Sequence, residues 1–171
     1  MKVLIIYSTR GGVSRTCAQM LRDYLGGTFD VTLCDIEDGA PSPDGFDVAV
    51  VGGSIRMGKL NKKLKAYLKA NLDTLNQIHT AAFLCCGLTE NFDDYVSFQI
   101  PKNLLPKLGI HCFGGELKPQ KLKGLDKLIV KSVRASIVGE DFESSDPSAS
   151  PLPEIVPENI RRLADSIRNL L

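Results

Sequence analysis

Close to the N-terminus an apolar run without polar interruption, Val3-Leu4-Ile5-Ile6, passes directly into Tyr7-Ser8-Thr9-Arg10-Gly11-Gly12-Val13-Ser14-Arg15-Thr16. A strand that does not alternate with polar residues is expected to be covered on both faces, as in a parallel sheet flanked by helices. The Ser, Thr and Gly that follow form a loop, and the loop opens a helix. This order aims backbone N–H groups and hydroxyls at one spot beside a helix N-terminus, where unpaired donors and the helix dipole favour a phosphate. Gly11 and Gly12 let the backbone approach such a ligand without an intervening Cβ. The spacing is not G-x-G-x-x-G, and the lysine of a P-loop is missing. A mononucleotide is therefore the ligand expected, with Ser8, Thr9, Arg10, Gly11, Gly12, Val13 and Ser14 as candidate contacts.

Strand and helix signals alternate along the rest of the chain, which predicts βαβ units. Strands are expected at 2–7, 29–35, 46–52, 80–86 and 110–116. A first helix carries Cys17, Ala18, Leu21, Tyr24 and Leu25 on one face and stops at Gly26-Gly27. A second is expected from the stripe Leu60, Leu64, Tyr67, Leu68, Leu72 and Leu75, with lysines opposite. A third is expected within 91–106, ending near Pro106. A last one runs over 156–171, with Pro157 suited to its first turn. These elements predict one α/β domain over residues 1–171, a doubly wound sheet of five parallel strands in the order 2-1-3-4-5. Ligands of such a sheet bind at the carboxyl ends of strands one and three, where the topology switches. The stretch 117–153 is longer than an ordinary connection and reads as an insertion. It holds a basic amphipathic helix candidate, with Leu122, Leu125, Leu128, Ile129 and Val133 among lysines, then a Ser/Pro/acid-rich loop from Glu143 to Pro153.

The formal net charge is +1, which by itself predicts no nucleic-acid partner. Its distribution is uneven: the six charged residues from Arg56 to Lys69 are all basic, and the six from Glu140 to Glu158 are all acidic. No stretch approaches the roughly 18 apolar residues of a membrane span, and the start lacks the pattern of a signal peptide. Five cysteines without C-x-x-C spacing argue against a disulfide framework and a zinc site. They are expected to be reduced, mostly buried thiols in a cytoplasmic protein. Cys85-Cys86 is the one adjacent pair, but successive side chains on a strand face opposite ways. His79 and His111 precede apolar runs without a nucleophile or carboxylate at telling spacing and read as structural. No catalytic side chain and no metal site is predicted.

Three loops carry a resemblance to the flavodoxins. Thr9-Arg10-Gly11-Gly12-Val13-Ser14 resembles the flavodoxin phosphate loop. Gly52-Gly53-Ser54-Ile55-Arg56-Met57-Gly58 occupies the place that packs on one face of the flavin. Cys86-Gly87-Leu88-Thr89 would border the other side of the ring. The resemblance implies FMN as cofactor, with Gly53, Ser54, Ile55, Arg56, Gly58, Cys86, Gly87 and Leu88 joining the first loop in holding it. A narrower similarity, in Tyr7-Ser8-Thr9-Arg10, Gly53-Ser54-Ile55-Arg56-x-Gly58 and Gly114-Gly115-Glu116-Leu117, is to the flavodoxin-type protoporphyrinogen dehydrogenases. That family is membrane-associated and passes electrons from protoporphyrinogen IX to a quinone. The sequence departs from it at Met57, where the family places an aromatic residue, and after Gly87.

With FMN in place, the flavin would supply the redox chemistry and the protein the position and electrostatics. N–H groups of residues 10 to 14 and the hydroxyls of Thr9 and Ser14 would neutralise the phosphate. Arg10 either adds a charge there or points to solvent. Arg56 either approaches the ring edge, ribityl chain or an anionic substrate, or begins the basic face of the second helix. Tyr95 either flanks the flavin or packs on the third helix. Two classes of function follow. One is an FMN oxidoreductase oxidising protoporphyrinogen IX or a similar substrate with a quinone acceptor. Its basic stretch 118–134 would give peripheral membrane association, each base contributing about 1 kcal/mol beside an anionic leaflet. The other is a soluble flavodoxin acting as an electron-transfer carrier for a redox partner. Such carriers usually present acidic surfaces, whereas this second loop leads into Arg56, Lys59, Lys62, Lys63, Lys65 and Lys69.

Overall fold

The computed structural model of the protein describes residues 1–87, 89–115 and 154–171. They form β1 (Lys2–Ser8), α1 (Val13–Leu25), β2 (Asp30–Asp35), β3 (Val48–Ser54), α2 (Lys62–Ala70), α3 (Leu72–Gln77), β4 (His79–Cys85), α4 (Phe92–Gln99), β5 (Ile110–Cys112) and α5 (Pro157–Arg168). Every strand pairing is parallel, and the sheet order is β2-β1-β3-β4-β5, as the alternation predicts.

The apolar runs are continuous because the sheet buries both faces. Val3, Ile5 and Tyr7 of β1 join Val48, Val50, Ala81 and Phe83 in one core, closed by Cys17, Ala18, Leu21 and Leu25 of α1 and by Ile160, Leu163, Ala164 and Ile167 of α5. Leu4 and Ile6 join Ala49, Val51, Ala82 and Leu84 in the other, closed by Leu64, Leu68 and Leu75. Each buried Leu or Ile contributes roughly 1.5–3 kcal/mol relative to exposure. Phe83 and Phe113 stack at 4.7 Å between ring centroids, carrying the first core across to the exit of β5.

Beyond shifts of one to three residues at the ends of other elements, three predicted elements differ in extent. The stripe expected over 60–75 is two helices, because Asn71 interrupts it. Its backbone and side-chain N–H groups both donate to the Tyr67 carbonyl, at 3.1 and 3.0 Å. This local bonding competes with helix propagation and ends α2. The third helix ends at Gln99, since Pro101 cannot donate and forces Ile100 into an extended conformation with ψ 136. The fifth strand stops at Cys112 instead of 116. Phe113 still donates to the Leu84 carbonyl at 3.0 Å, but Gly114 turns away with φ 73 and bridges to Ile155. The expected insertion 117–153 and the candidate contact Leu88 lie outside the described residues.

Candidate functional site

Ser8 closes β1 in register with Gly53 of β3, at the point where the strand order reverses. The chain then needs a tight turn into α1. Gly12 provides it with φ 92 as the N-cap residue, and its N–H donates to Thr9 Oγ1 at 2.9 Å. No side chain caps the helix, and the first helical bond runs from Thr16 N–H to the Gly12 carbonyl. Helix geometry therefore leaves the N–H groups of Val13, Ser14 and Arg15 without intrahelical acceptors. They point out of the helix N-terminus beside Thr9, Arg10 and Gly11, which are partly or fully exposed.

Ser14 takes a different position from the one expected. Its side chain is fully buried, and its Oγ lies 2.6 Å from Ser54 Oγ. The hydroxyl expected to hold a phosphate instead joins the first turn of α1 to the end of β3. Arg10 is exposed, and its charge is felt at Glu37, whose carboxyl is held below the usual range chiefly by bonds from Lys63 and Asn61.

Arg15 is a residue that the sequence reading missed. Its guanidinium donates to Tyr7 Oη at 3.1 Å and to the buried Asp35 carboxylate at 3.2 Å, and these two bonds raise its pKa. It thereby fixes α1 to the ends of β1 and β2. The available signal was an aromatic and an acid closing two neighbouring strands, with a base one turn into the next helix.

The second loop leaves β3 through Ile55, whose N–H donates to the Cys85 carbonyl at 2.8 Å. Arg56 and Lys59 then exchange two backbone bonds of 3.0 Å around Met57 (φ 49) and Gly58 (φ 70). Positive φ at both central positions is the type I′ turn. Met57 is the one non-glycine residue with positive φ among the described residues, and it stands 74% exposed at the tip. A left-handed conformation costs such a residue about 1 kcal/mol. The turn is held from α4. Buried Gln99 donates through Nε2 to the Gly58 carbonyl (2.9 Å), while its Oε1 accepts from Leu60 N–H (3.2 Å) and Lys65 Nζ (3.3 Å). Beside it lies an open groove of about 410 Å³ lined by Lys59, Lys62, Lys65, Lys69 and Gln99 together with the apolar Leu60 and Ala66. Gln99 too escaped the sequence reading, since nothing in a short amphipathic stretch marks one glutamine as an anchor.

The third loop starts at buried Cys86 and half-buried Gly87. A Cβ on Gly115 would lie 2.8 Å from both Cys86 C and Gly87 N, so the exit of β5 is packed directly against this peptide. Cys85 and Cys86 turn to opposite faces, as strand geometry requires. Cys85 Sγ is 3.8 Å from Cys17 Sγ, and Cys86 Sγ is 3.7 Å from Cys112 Sγ. Tyr95 packs on the second core, and the ring of His111 is bonded to the Leu108 carbonyl at 2.7 Å.

The structure thus brings the first and second loops together at the switch point, with the third directly beside the second. Arg56 sits in the turn's bridge.

Comparison with known proteins follows the same lines. The family model described as a flavodoxin domain matches residues 4–144. Flavodoxin 2 from Bacillus cereus is 14% identical with a TM-score of 0.55, and the Streptococcus pneumonia TIGR4 flavodoxin is 12% identical with a TM-score of 0.55. Each alignment covers 100% of both chains. A short-chain flavodoxin associated with a PDU bacterial microcompartment is 14% identical with a TM-score of 0.51, covering 99% of this chain and 98% of that one. At these identities the likeness is one of fold. No curated protein matches the chain. No helix among the described residues is long and apolar enough to cross a membrane.

Proposed function

The chain belongs to the flavodoxin domain family, and from that premise we propose that its three carboxyl-end loops hold FMN, the cofactor of the family, for electron transfer. The observation that carries this reading is the Ser14–Ser54 bond at the topological switch point. It holds the open N-terminus of α1 against the end of β3, so a phosphate donor set and a ring-facing turn share one rim. The donors suit the group. Val13, Ser14 and Arg15 offer N–H groups without intrahelical acceptors, and Thr9 keeps a hydroxyl hydrogen to donate while accepting from Gly12. Each bond to a charged phosphate is worth roughly 1.5–3 kcal/mol. Ser8, Gly11 and Gly12 shape this cradle, and Arg10 adds positive charge at its exposed edge.

FMN, when bound, supplies one- and two-electron chemistry. The residues around it would set which partner approaches. Gly53, Ser54, Ile55, Arg56 and Gly58 would build one wall, with Met57 covering it, and Cys86 and Gly87 would border the other; Leu88, the remaining candidate contact, lies outside the described residues. Lys59, Lys62, Lys65 and Lys69 give this side positive charge, which favours an anionic partner and raises its encounter rate at low salt.

That sign also supports the finer reading. Carboxylates of protoporphyrinogen IX, or of a similar substrate, suit a lysine-lined groove next to the Gly53-Ser54-Ile55-Arg56-x-Gly58 loop, with a quinone taking the electrons. On this reading the protein is a cytoplasmic oxidoreductase that meets the membrane peripherally through 118–134. The alternative is a flavodoxin carrier serving an acidic redox partner.

Adding FMN to the purified protein and following flavin absorption, then titrating anaerobically with protoporphyrinogen IX and a quinone, separates these. Rapid reduction followed by quinone reoxidation supports the oxidoreductase. Bound flavin that responds to neither supports the carrier, and absence of binding removes the flavin reading.

A further inference from the structure

Two of the five cysteines, Cys86 at the border of the proposed flavin site and Cys112 behind it on β5, make a thiol–thiol contact that electron transfer through a flavin does not require. β4 and β5 are neighbours with Leu84 opposite Cys112, so Cys86, two residues beyond Leu84, comes off the same face as Cys112. Their sulfurs lie 3.7 Å apart, in contact and without a bond. Cys86 is buried at 3% exposure, while Cys112 is partly open to solvent. We propose that Cys112 and Cys86 form a thiol–disulfide exchange site, in which Cys112 attacks small disulfides and Cys86 resolves the adduct.

The local bonding divides the two roles. Contact with the buried Cys86 sulfur, with a backbone bond from Gly114 N–H added, holds the Cys112 thiol below its usual range. The same contact and burial push Cys86 up, and Glu90 adds in the same direction. An attacking thiolate needs a lowered pKa and access, and a resolving thiol needs only proximity. The structure contains its own contrast. Cys17 and Cys85 are 3.8 Å apart, but both are buried in the first core, where no disulfide can reach them. Cys34 is partly open but stands without a second thiol at contact distance, and burial raises its pKa.

The exchange balances with one molecule of oxidised glutathione. Cys112 thiolate attacks one glutathione sulfur, the glutathione S–S bond breaks, and the first glutathione leaves as thiolate and takes a proton. Cys86 then gives up its proton and attacks the Cys112 sulfur, expelling the second glutathione. Two protein thiols are oxidised by two electrons, and one disulfide is reduced to two thiols. The sulfurs close from 3.7 Å to a bond of about 2.05 Å.

The test treats reduced protein, with no FMN added, with oxidised glutathione, so its outcome is independent of the flavin reading. Intact mass is followed by peptide mapping without reductant. The expected result is loss of two hydrogens and a peptide linking Cys86 to Cys112. Cys86→Ser should stop at a glutathione adduct on Cys112, and Cys112→Ser should form no cross-link. In the unsubstituted protein, where folding is not in question, iodoacetamide should modify Cys112 about tenfold faster than Cys34 at neutral pH. Adducts chiefly on Cys34, no Cys86–Cys112 peptide, or equal alkylation rates would overturn the proposal.

Discussion

A Cβ placed on Gly11 or Gly12 would meet nothing within 4 Å, whereas one on Gly52 would lie 2.2 Å from the Phe83 carbonyl oxygen and one on Gly53 would lie 2.2 Å from Ser8 Oγ. The two sides of the rim are both glycine-rich, yet glycine serves different ends in each. After β1 it leaves open space next to uncapped helix donors, and Gly12 adds a left-handed turn. Within the end of β3 it makes strand-to-strand contact possible, with Gly52 admitting the Phe83 ring and Gly53 the Ser8 hydroxyl. Gly115, against the Cys86–Gly87 peptide, belongs with the second kind. A glycine in a carboxyl-end loop is thus evidence for a ligand only where nothing in the protein already fills its missing Cβ.

The contrast breaks most visibly at Gly52. Gly52→Ala forces a methyl into backbone and is expected to lower stability by about 3 kcal/mol in denaturant unfolding; a loss comparable with that of Gly11→Ala would erase the distinction. Gly53→Ala meets a side-chain oxygen that can rotate, so a smaller loss of about 2 kcal/mol is expected, and adding Ser8→Ala should recover part of it. Ser14→Ala leaves the Ser54 hydroxyl unpaired and should cost about 1 kcal/mol, with a double-mutant cycle through Ser54→Ala isolating the pair. Gly11→Ala is expected to change stability by less than about 0.5 kcal/mol while weakening FMN in a calorimetric titration. Unchanged affinity there would show that the open space is not used by the ligand.

The strands were legible because burial on two faces writes itself as continuous apolar residues, and their order followed from the alternation of elements. The break at Asn71 was not, since the apolar stripe runs on in phase through Leu72 and Leu75. The I′ turn was half visible. Gly58 is the residue such a turn wants, but Met57 occupies a position usually held by Asn, Asp or Gly. The bond from Ser14 to Ser54 was not legible, because it joins residues 40 apart and depends on how α1 packs against the end of β3. The same holds for Cys112 and Cys86: adjacency along the chain pointed to Cys85, and only the β4–β5 pairing identifies the true neighbour.

Ile160, Leu163, Ala164 and Ile167 of α5 complete the core that Val3, Ile5 and Tyr7 begin, while among the described residues the opposite core includes none later than Ile110. On the ribosome, therefore, the described residues of one core have all emerged with β5, whereas the other face of the sheet is covered by α1 alone until α5 has been made. The nascent protein would present its α1 side to chaperones, and premature association between nascent chains would begin on that side.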